Sequence, residues 1–271
     1  MPSLSLSGPI KGSLALANSL CNYYDISLVF LKTKYNNLEI KLNPNIKYLF
    51  LGKFKSYIQK YKFLNEILKK SEDKNKILIS MCFSADLFTL FLDKRVFKIS
   101  SIRSNLFTNY FYVFKLFGYP AALFHLLIQN FFDLTIVMNE KMKDQVNYFS
   151  KTKTIIIKNF IDEESLTPYF KKEINVNKPF TYVFAGGLTK RKNPFSLINA
   201  FEKLLPLEDS KLHIIGDGPL KKQIKKYILK NKLEENIFLH GFLNNPYEII
   251  SKSDVFILPS FSEGTPRAAL E

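Results

Sequence analysis

No tryptophan occurs in this 271-residue chain, and only two cysteines do. Lys, Asn, Ile, Phe and Tyr are abundant instead, a bias attributed to AT-rich coding before function. Cys21 and Cys82 lie far apart, with no metal-ligand spacing and no redox motif, which excludes a disulfide framework. They read as small buried residues in a reducing compartment. A zinc-ligand set, a basic leucine zipper and an RNA-binding aromatic signature are all missing, so nucleic acid is not an expected partner. No Asp-x-Asp pair stands at a strand end to hold a metal ion. Internal repeats and low-complexity tracts are absent too. Met1 to Gly8 is short and uncharged and does not read as a secretory leader.

What remains is a globular composition, 46% hydrophobic and 23% charged, long enough for two domains. The net charge of +15 is uneven: residues 1–165 hold 23 Lys/Arg against 13 Asp/Glu, and residues 166–271 hold 16 against 11. A basic face can meet anionic lipid or a diphosphate, although lysines scattered on solvent faces also serve solubility alone. Tyr110–Phe132 is strongly apolar, but Lys115, the Gly118–Pro120 break, His125 and Gln129 argue against a simple span. It reads as two short helices joined at Gly118–Pro120 and buried in the core, with interfacial attachment as the alternative.

Apolar runs of strand length alternate with amphipathic segments, the pattern of parallel α/β units. Expected strands are Ile26–Leu31, Lys47–Leu51, Ile77–Met81, Phe97–Ser101, Leu134–Met138 and Thr154–Ile157. After a lapse in periodicity over Lys158–Lys178, taken as a linker, come Tyr182–Ala185, Leu212–Ile215, Ile237–Leu239 and Val255–Leu258. Two domains are expected, residues 1–165 and 166–271.

The last eleven residues, FSEGTPRAALE, carry the most chemistry. They follow a strand closed by Pro259, and Pro266 suits the first turn of a helix. Glu263 then sits on a strand-to-helix loop and Glu271 roughly two turns down the helix. Open parallel sheets bind ligands at the carboxyl ends of strands. Two carboxylates at two depths there could bond two sets of hydroxyls on one elongated ligand, such as a sugar nucleotide.

Glu263 and Glu271, eight positions apart after an apolar strand ending Pro-Ser, resemble the signature of the family-4 retaining glycosyltransferases. YVFAGGLTKRKNPFSLINA (182–200), LHIIGDGPL (212–220) and IFLHGFL (237–243) resemble that family's preceding segments, in the same order. The resemblance implies a GT-B fold: α/β, two Rossmann-like domains facing a cleft, an acceptor-side domain and a nucleotide-sugar domain. It implies Lys192 as the phosphate-binding lysine, Glu263 near the reacting sugar carbon and Glu271 on the ribose, with Gly264 and Thr265 offering backbone N–H groups at a helix start. The family's Arg after the first loop glycine is replaced here by Gly187, and Lys190 or Arg191 is the candidate substitute. Ser7, Gly8 and Gly12 resemble the family's glycine-rich loop. The family's acceptor-side His has no counterpart in MCFSA (81–85), and Arg103 and Asn105 are the best acceptor-side polar groups.

The activity so implied is sugar transfer with retention from a nucleotide diphosphate, expected to be a UDP-sugar, without a metal cofactor. The acceptor is a glycan or a polyprenyl-diphosphate-linked glycan in surface polysaccharide or lipopolysaccharide assembly. The expected setting is bacterial: the cytoplasm, or the cytoplasmic face of the inner membrane through peripheral contact. The family pattern continues past Glu271, so the second domain is expected to be partial. The competing expectation is a catalytically impaired or truncated nucleotide-sugar-binding remnant of the same fold.

Overall fold

A computed structural model describes residues 8–32, 43–70, 75–159, 161, 163–169, 179–207 and 209–271. Ser7 lies outside the described residues, as does much of the expected linker. The chain divides into two compact units, Met1–Phe160 and Ile161–Glu271. Each is α/β, and every strand pair among the described residues is parallel.

In chain order the first unit comprises α1 (Gly8–Leu20), β1 (Ser27–Phe30), β2 (Lys47–Phe50), α2 (Tyr57–Lys70), β3 (Ile77–Ser80), α3 (Phe83–Leu90) and β4 (Phe97–Ser101). It continues through α4 (Leu106–Phe114), α5 (Gly118–Leu127), β5 (Leu134–Val137), α6 (Glu140–Phe149) and β6 (Lys153–Ile156). β1 pairs with β2, and β3-β4-β5-β6 form a second sheet. The helices cover these sheets with their apolar faces: Ile10 of α1 packs on Phe30, and Leu64 of α2 on Leu31 and Leu51.

One correction falls on Gly8 and Gly12, expected in a loop. Gly8 opens α1 and Gly12 is buried inside it. The apolar residues from Ile10 to Leu20 recur at helical spacing, and that packing carries the helix back through both glycines.

The second correction concerns the α4–α5 pair. It breaks at Lys115, which takes φ 55°, before the expected Gly118–Pro120. Gly118 serves the crossing instead: a Cβ there would lie 2.4 Å from the Tyr110 carbonyl. Leu106, Tyr110, Ala122 and Leu126 bury against Met138, Met142 and Val146. Among the described residues the opposite face has no such cover, with Val113 of α4 62% and Phe124 of α5 50% exposed, and Leu116 and Phe117 of the turn between them more so. The pair is apolar all round, so one packed face leaves the other bare. By length and composition Leu106–Phe131 could cross a membrane, and only 28% of its apolar 18-residue window is buried.

A buried polar chain holds this pair to the sheet. Asp86 of α3 accepts from the Ser80 hydroxyl and from Ser100 Oγ at 3.1 Å, and its Oδ2 lies 2.7 Å from His125 Nε2. His125 Nδ1 is 3.0 Å from the Tyr110 hydroxyl. Burial, then the Asp86 charge, pushes the Tyr110 phenol well up. His125 is thus a packed residue, as its apolar helix implies, but a fully bonded one.

The second unit follows with α7 (Glu163–Leu166), β7 (Phe180–Ala185), α8 (Pro194–Leu204), β8 (Ser210–Ile215), α9 (Lys221–Lys230), β9 (Ile237–Gly241), α10 (Tyr247–Lys252), β10 (Val255–Phe256) and α11 (Arg267–Leu270). Its sheet runs β10-β7-β8-β9, all parallel. Phe184, Leu212 and Ile214 bury under α8 and α9; Val183, Ala185 and Ile215 pack on the other face with Ile249 and Ile250 of α10. β10 is shorter than the apolar run to Leu258, which is followed by Pro259, a residue with no N–H to give.

Candidate functional site

The strand order places a site before any side chain is considered. The chain builds outward through β7, β8 and β9, then crosses back to lay β10 on the other side of β7. The direction reverses between β7 and β10, and ligands of open α/β sheets bind outside the carboxyl ends of strands at such a switch point. The loops leaving those two strands are residues 186–193 and 257–266. They carry Lys192 and Glu263.

Lys192 Nζ lies 2.5 Å from Glu263 Oε1, and Arg191 Nη1 lies 3.3 Å from Glu263 Oε2. Arg191 also donates to the Ser262 carbonyl at 2.6 Å and accepts from the Phe261 N–H at 2.9 Å. Burial pushes the Glu263 carboxyl up, but the Lys192 hydrogen bond and the Lys192 and Arg191 charges outweigh it and hold it below its usual range. The side chains of all three are 15–24% exposed, half-sheltered from screening.

Local sequence explains the loop. Thr189 accepts from the Lys192 N–H, closing a single 3-10 turn over Lys190–Lys192. Asn193 then takes the left-handed conformation at φ 54°, which Asn tolerates, and Pro194 opens α8 at the position where no N–H is needed. Beneath, the Gly216-Asp217-Gly218-Pro219 turn acts as a buttress. Asp217 O accepts from the Leu188 N–H at 2.9 Å, and a Cβ on Gly216 would come within 1.9 Å of the Gly186 carbonyl oxygen. Gly187 differs: a Cβ there would meet nothing closer than 3.9 Å, so a side chain fits.

Glu271 is brought to a different partner. Its Oε1 lies 2.6 Å from Arg267 Nε, both side chains being largely buried. The Nη1 of Arg267 is buried and has no hydrogen-bond partner among the described residues, the kind of atom that waits for water or a ligand. Pro266 stands just before α11, with Gly264 and Thr265 in the bend between Glu263 and it. The observed helix is one turn, so Glu271 is nearer its start than the expected two turns. Sequence reasoning passed over Arg267; its place four residues before Glu271 on one helix face was the available signal.

In the first unit, Arg103 donates to the Asn159 side chain. Asn105 caps α4, its Oδ1 accepting from the Thr108 N–H at 3.0 Å. Cys21 and Cys82 are free and half-buried, not core residues. His240, placed by the sequence after a strand, lies within β9 with its Nε2 2.9 Å from His213 Nδ1.

Residues 167–271 match the family described as Glycosyl transferases group 1, so the second unit carries a domain of that family. An uncharacterised glycosyltransferase of Methanocaldococcus jannaschii is 28% identical over 86% of this chain and 61% of its own length. The N-acetylgalactosamine-N,N'-diacetylbacillosaminyl-diphospho-undecaprenol 4-alpha-N-acetylgalactosaminyltransferase of Campylobacter jejuni is 30% identical over 91% of this chain and 60% of its own. The chain therefore spans about three-fifths of the length of these curated relatives. Among solved structures, Anabaena HepE in complex with UDP and glucose aligns with a TM-score of 0.67 at 14% identity, over 95% of this chain and 73% of that one. That likeness is one of fold, the GT-B fold expected from the sequence.

Proposed function

We propose that this glycosyl transferases group 1 chain transfers a sugar, with retention, from a UDP-sugar to a polyprenyl-diphosphate-linked glycan in surface polysaccharide assembly. The observation that carries the reading is the Lys192–Glu263 pair at the switch point between β7 and β10. A leaving diphosphate needs positive charge, and the anomeric carbon needs a nearby carboxylate as it gains positive character. The ion pair holds both side chains in place at the strand ends. A diphosphate would draw on both cations that hold Glu263, Lys192 and Arg191. Two cations on one loop supply the charge that a metal ion supplies elsewhere, so the reaction needs no divalent cation.

The acceptor class is supported by the Campylobacter relative, whose name gives an undecaprenol-diphosphate acceptor. A membrane-borne acceptor also suits the bare apolar face of α4–α5, with Lys115 at its turn, as a peripheral contact with the bilayer surface. A second reading, a donor-binding fold without turnover, is favoured by Gly187, which stands where the family's second phosphate-binding cation would be, and by MCFSA (81–85), which lacks the family's acceptor-side His. The test is calorimetry with UDP in chelator, followed by transfer from UDP-sugars to a lipid-linked acceptor. Metal-free UDP binding with transfer upholds the first reading, and binding without transfer the second.

A further inference from the structure

A groove of about 650 Å³ in the first unit has no part in the donor site. Tyr57, Ile58 and Tyr61 of α2 form one wall; Leu87 and Phe88 of α3, with Phe91 just beyond its end, form the other. Each set repeats at one-turn spacing and so occupies a single helix face. The inner faces of the two helices cover the sheet, with Leu64 against Leu31 and Leu51. Their flanks are left unfilled: Ile58 is 67% exposed and Phe91 71%. Such a surface offers almost nothing to a hydrogen-bonding ligand and suits hydrocarbon.

Two neighbours of the groove narrow the choice of hydrocarbon. Residues 51–65 carry Lys53, Lys55, Lys60 and Lys62 and no Asp or Glu. Lys60 Nζ sits 5.0 Å from the Tyr57 ring centre, held by the Leu31 carbonyl at 2.8 Å, while Lys53, Lys55 and Lys62 are exposed. An apolar trough with a cationic flank complements a molecule with a hydrocarbon tail and an anionic head. At the other flank, Phe83 precedes the Ser84 that also lines the groove, and its ring meets Phe124 of α5 edge-on at 6.1 Å. Phe124 belongs to the bare face of the α4–α5 pair. An aromatic contact therefore links that face to the residue beside the groove.

We infer that this groove receives the isoprenoid chain of a polyprenyl diphosphate, leaving its diphosphate beside the lysines that precede and follow Tyr57 and Ile58. The inference rests on the lipid-linked acceptor proposed above and adds where the lipid is held. Its test uses the full chain and equilibrium binding of labelled geranylgeranyl diphosphate, dimethylallyl diphosphate and dodecyl diphosphate. Burial of the longer branched chain should make geranylgeranyl diphosphate bind about tenfold tighter than dimethylallyl diphosphate. Leu87→Trp, which fills the groove, and Ile58→Asp, which charges its exposed rim, should each remove that advantage while UDP binding stays as in the wild type. Retention of the advantage in both UDP-competent variants overturns the inference. So does equal affinity for the two isoprenoids, or dodecyl diphosphate binding as tightly as geranylgeranyl diphosphate, which would assign the groove to linear acyl chains. A protein that binds the isoprenoid in this groove but transfers no sugar upholds the groove and sinks the transferase reading. Transfer undiminished by both variants sinks the groove alone.

Discussion

Lys192 and Glu263 are 71 positions apart in sequence and 2.5 Å apart in space, because the strands that precede them are neighbours in the sheet. β7 and β10 pair in parallel with Tyr182 opposite Val255, so their outgoing loops emerge side by side. The pair is a product of topology more than of either loop.

That placement predicts unequal losses from two lysine deletions. Lys192→Ala should weaken UDP binding by about 1.5–3 kcal/mol, the range for hydrogen bonds to charged groups. Lys222→Ala removes the same charge from an exposed face of α9, where solvent and salt screen it, and should change binding little. Calorimetry of both variants decides it, and equal losses would show that the loop does not hold the diphosphate.

Much of this site was legible in the sequence. The two loops announce themselves through Gly186–Gly187 with Pro194, and through Pro259 with Glu263, since turn residues and apolar runs are local signals. Phe97–Ser101 is a strand at the expected bounds for the same reason. Long-range pairing left no such trace: nothing local tells that Arg191 would turn onto Glu263, or that Asp86 would gather Ser80, Ser100 and His125. The α4–α5 pair misled because apolar composition states what a face could bury, not whether a partner exists. Its bare side depends on the extent of α6 and the sheet edge, which periodicity does not encode.

The acid limb of stability should carry the mark of Glu263. Its pKa in the folded chain lies below the ordinary 4.5, so the pair's stabilisation is complete above that ordinary value. It is lost as pH falls through the lowered one. Denaturant unfolding between about pH 5 and 3 should show a steeper loss in the wild type than in Glu263→Gln. Parallel slopes would mean that Glu263 is not held as a charged group.

Gly187 offers a gain-of-function test. Its Cβ position is open to 3.9 Å, and the backbone there needs no left-handed conformation. Gly187→Arg should fold normally and bind UDP about tenfold tighter, the gain expected of one added charge-assisted hydrogen bond. Unchanged affinity in a folded variant would place the diphosphate away from this edge of the loop.

The two glutamates should fail in different ways, because their surroundings differ. Glu263 sits among cations at the strand ends, where the proposed transfer would change the charge; Gln keeps its shape and removes the charge. Turnover should fall at saturating donor, with donor affinity changed little. Glu271 is engaged by Arg267 beside a buried guanidinium nitrogen that has no partner among the described residues, and in the proposed reading this setting would meet the donor's ribose hydroxyls alike before and during transfer. Glu271→Gln should then raise the donor's KM by about tenfold while leaving kcat nearly unchanged, the signature of a uniform binding contact. Donor titrations of both variants read the two constants separately. If Glu271→Gln lowers kcat and Glu263→Gln moves only KM, the roles are reversed. If neither constant moves in either variant, the carboxylates at this switch point are a structural pair and the site lies elsewhere.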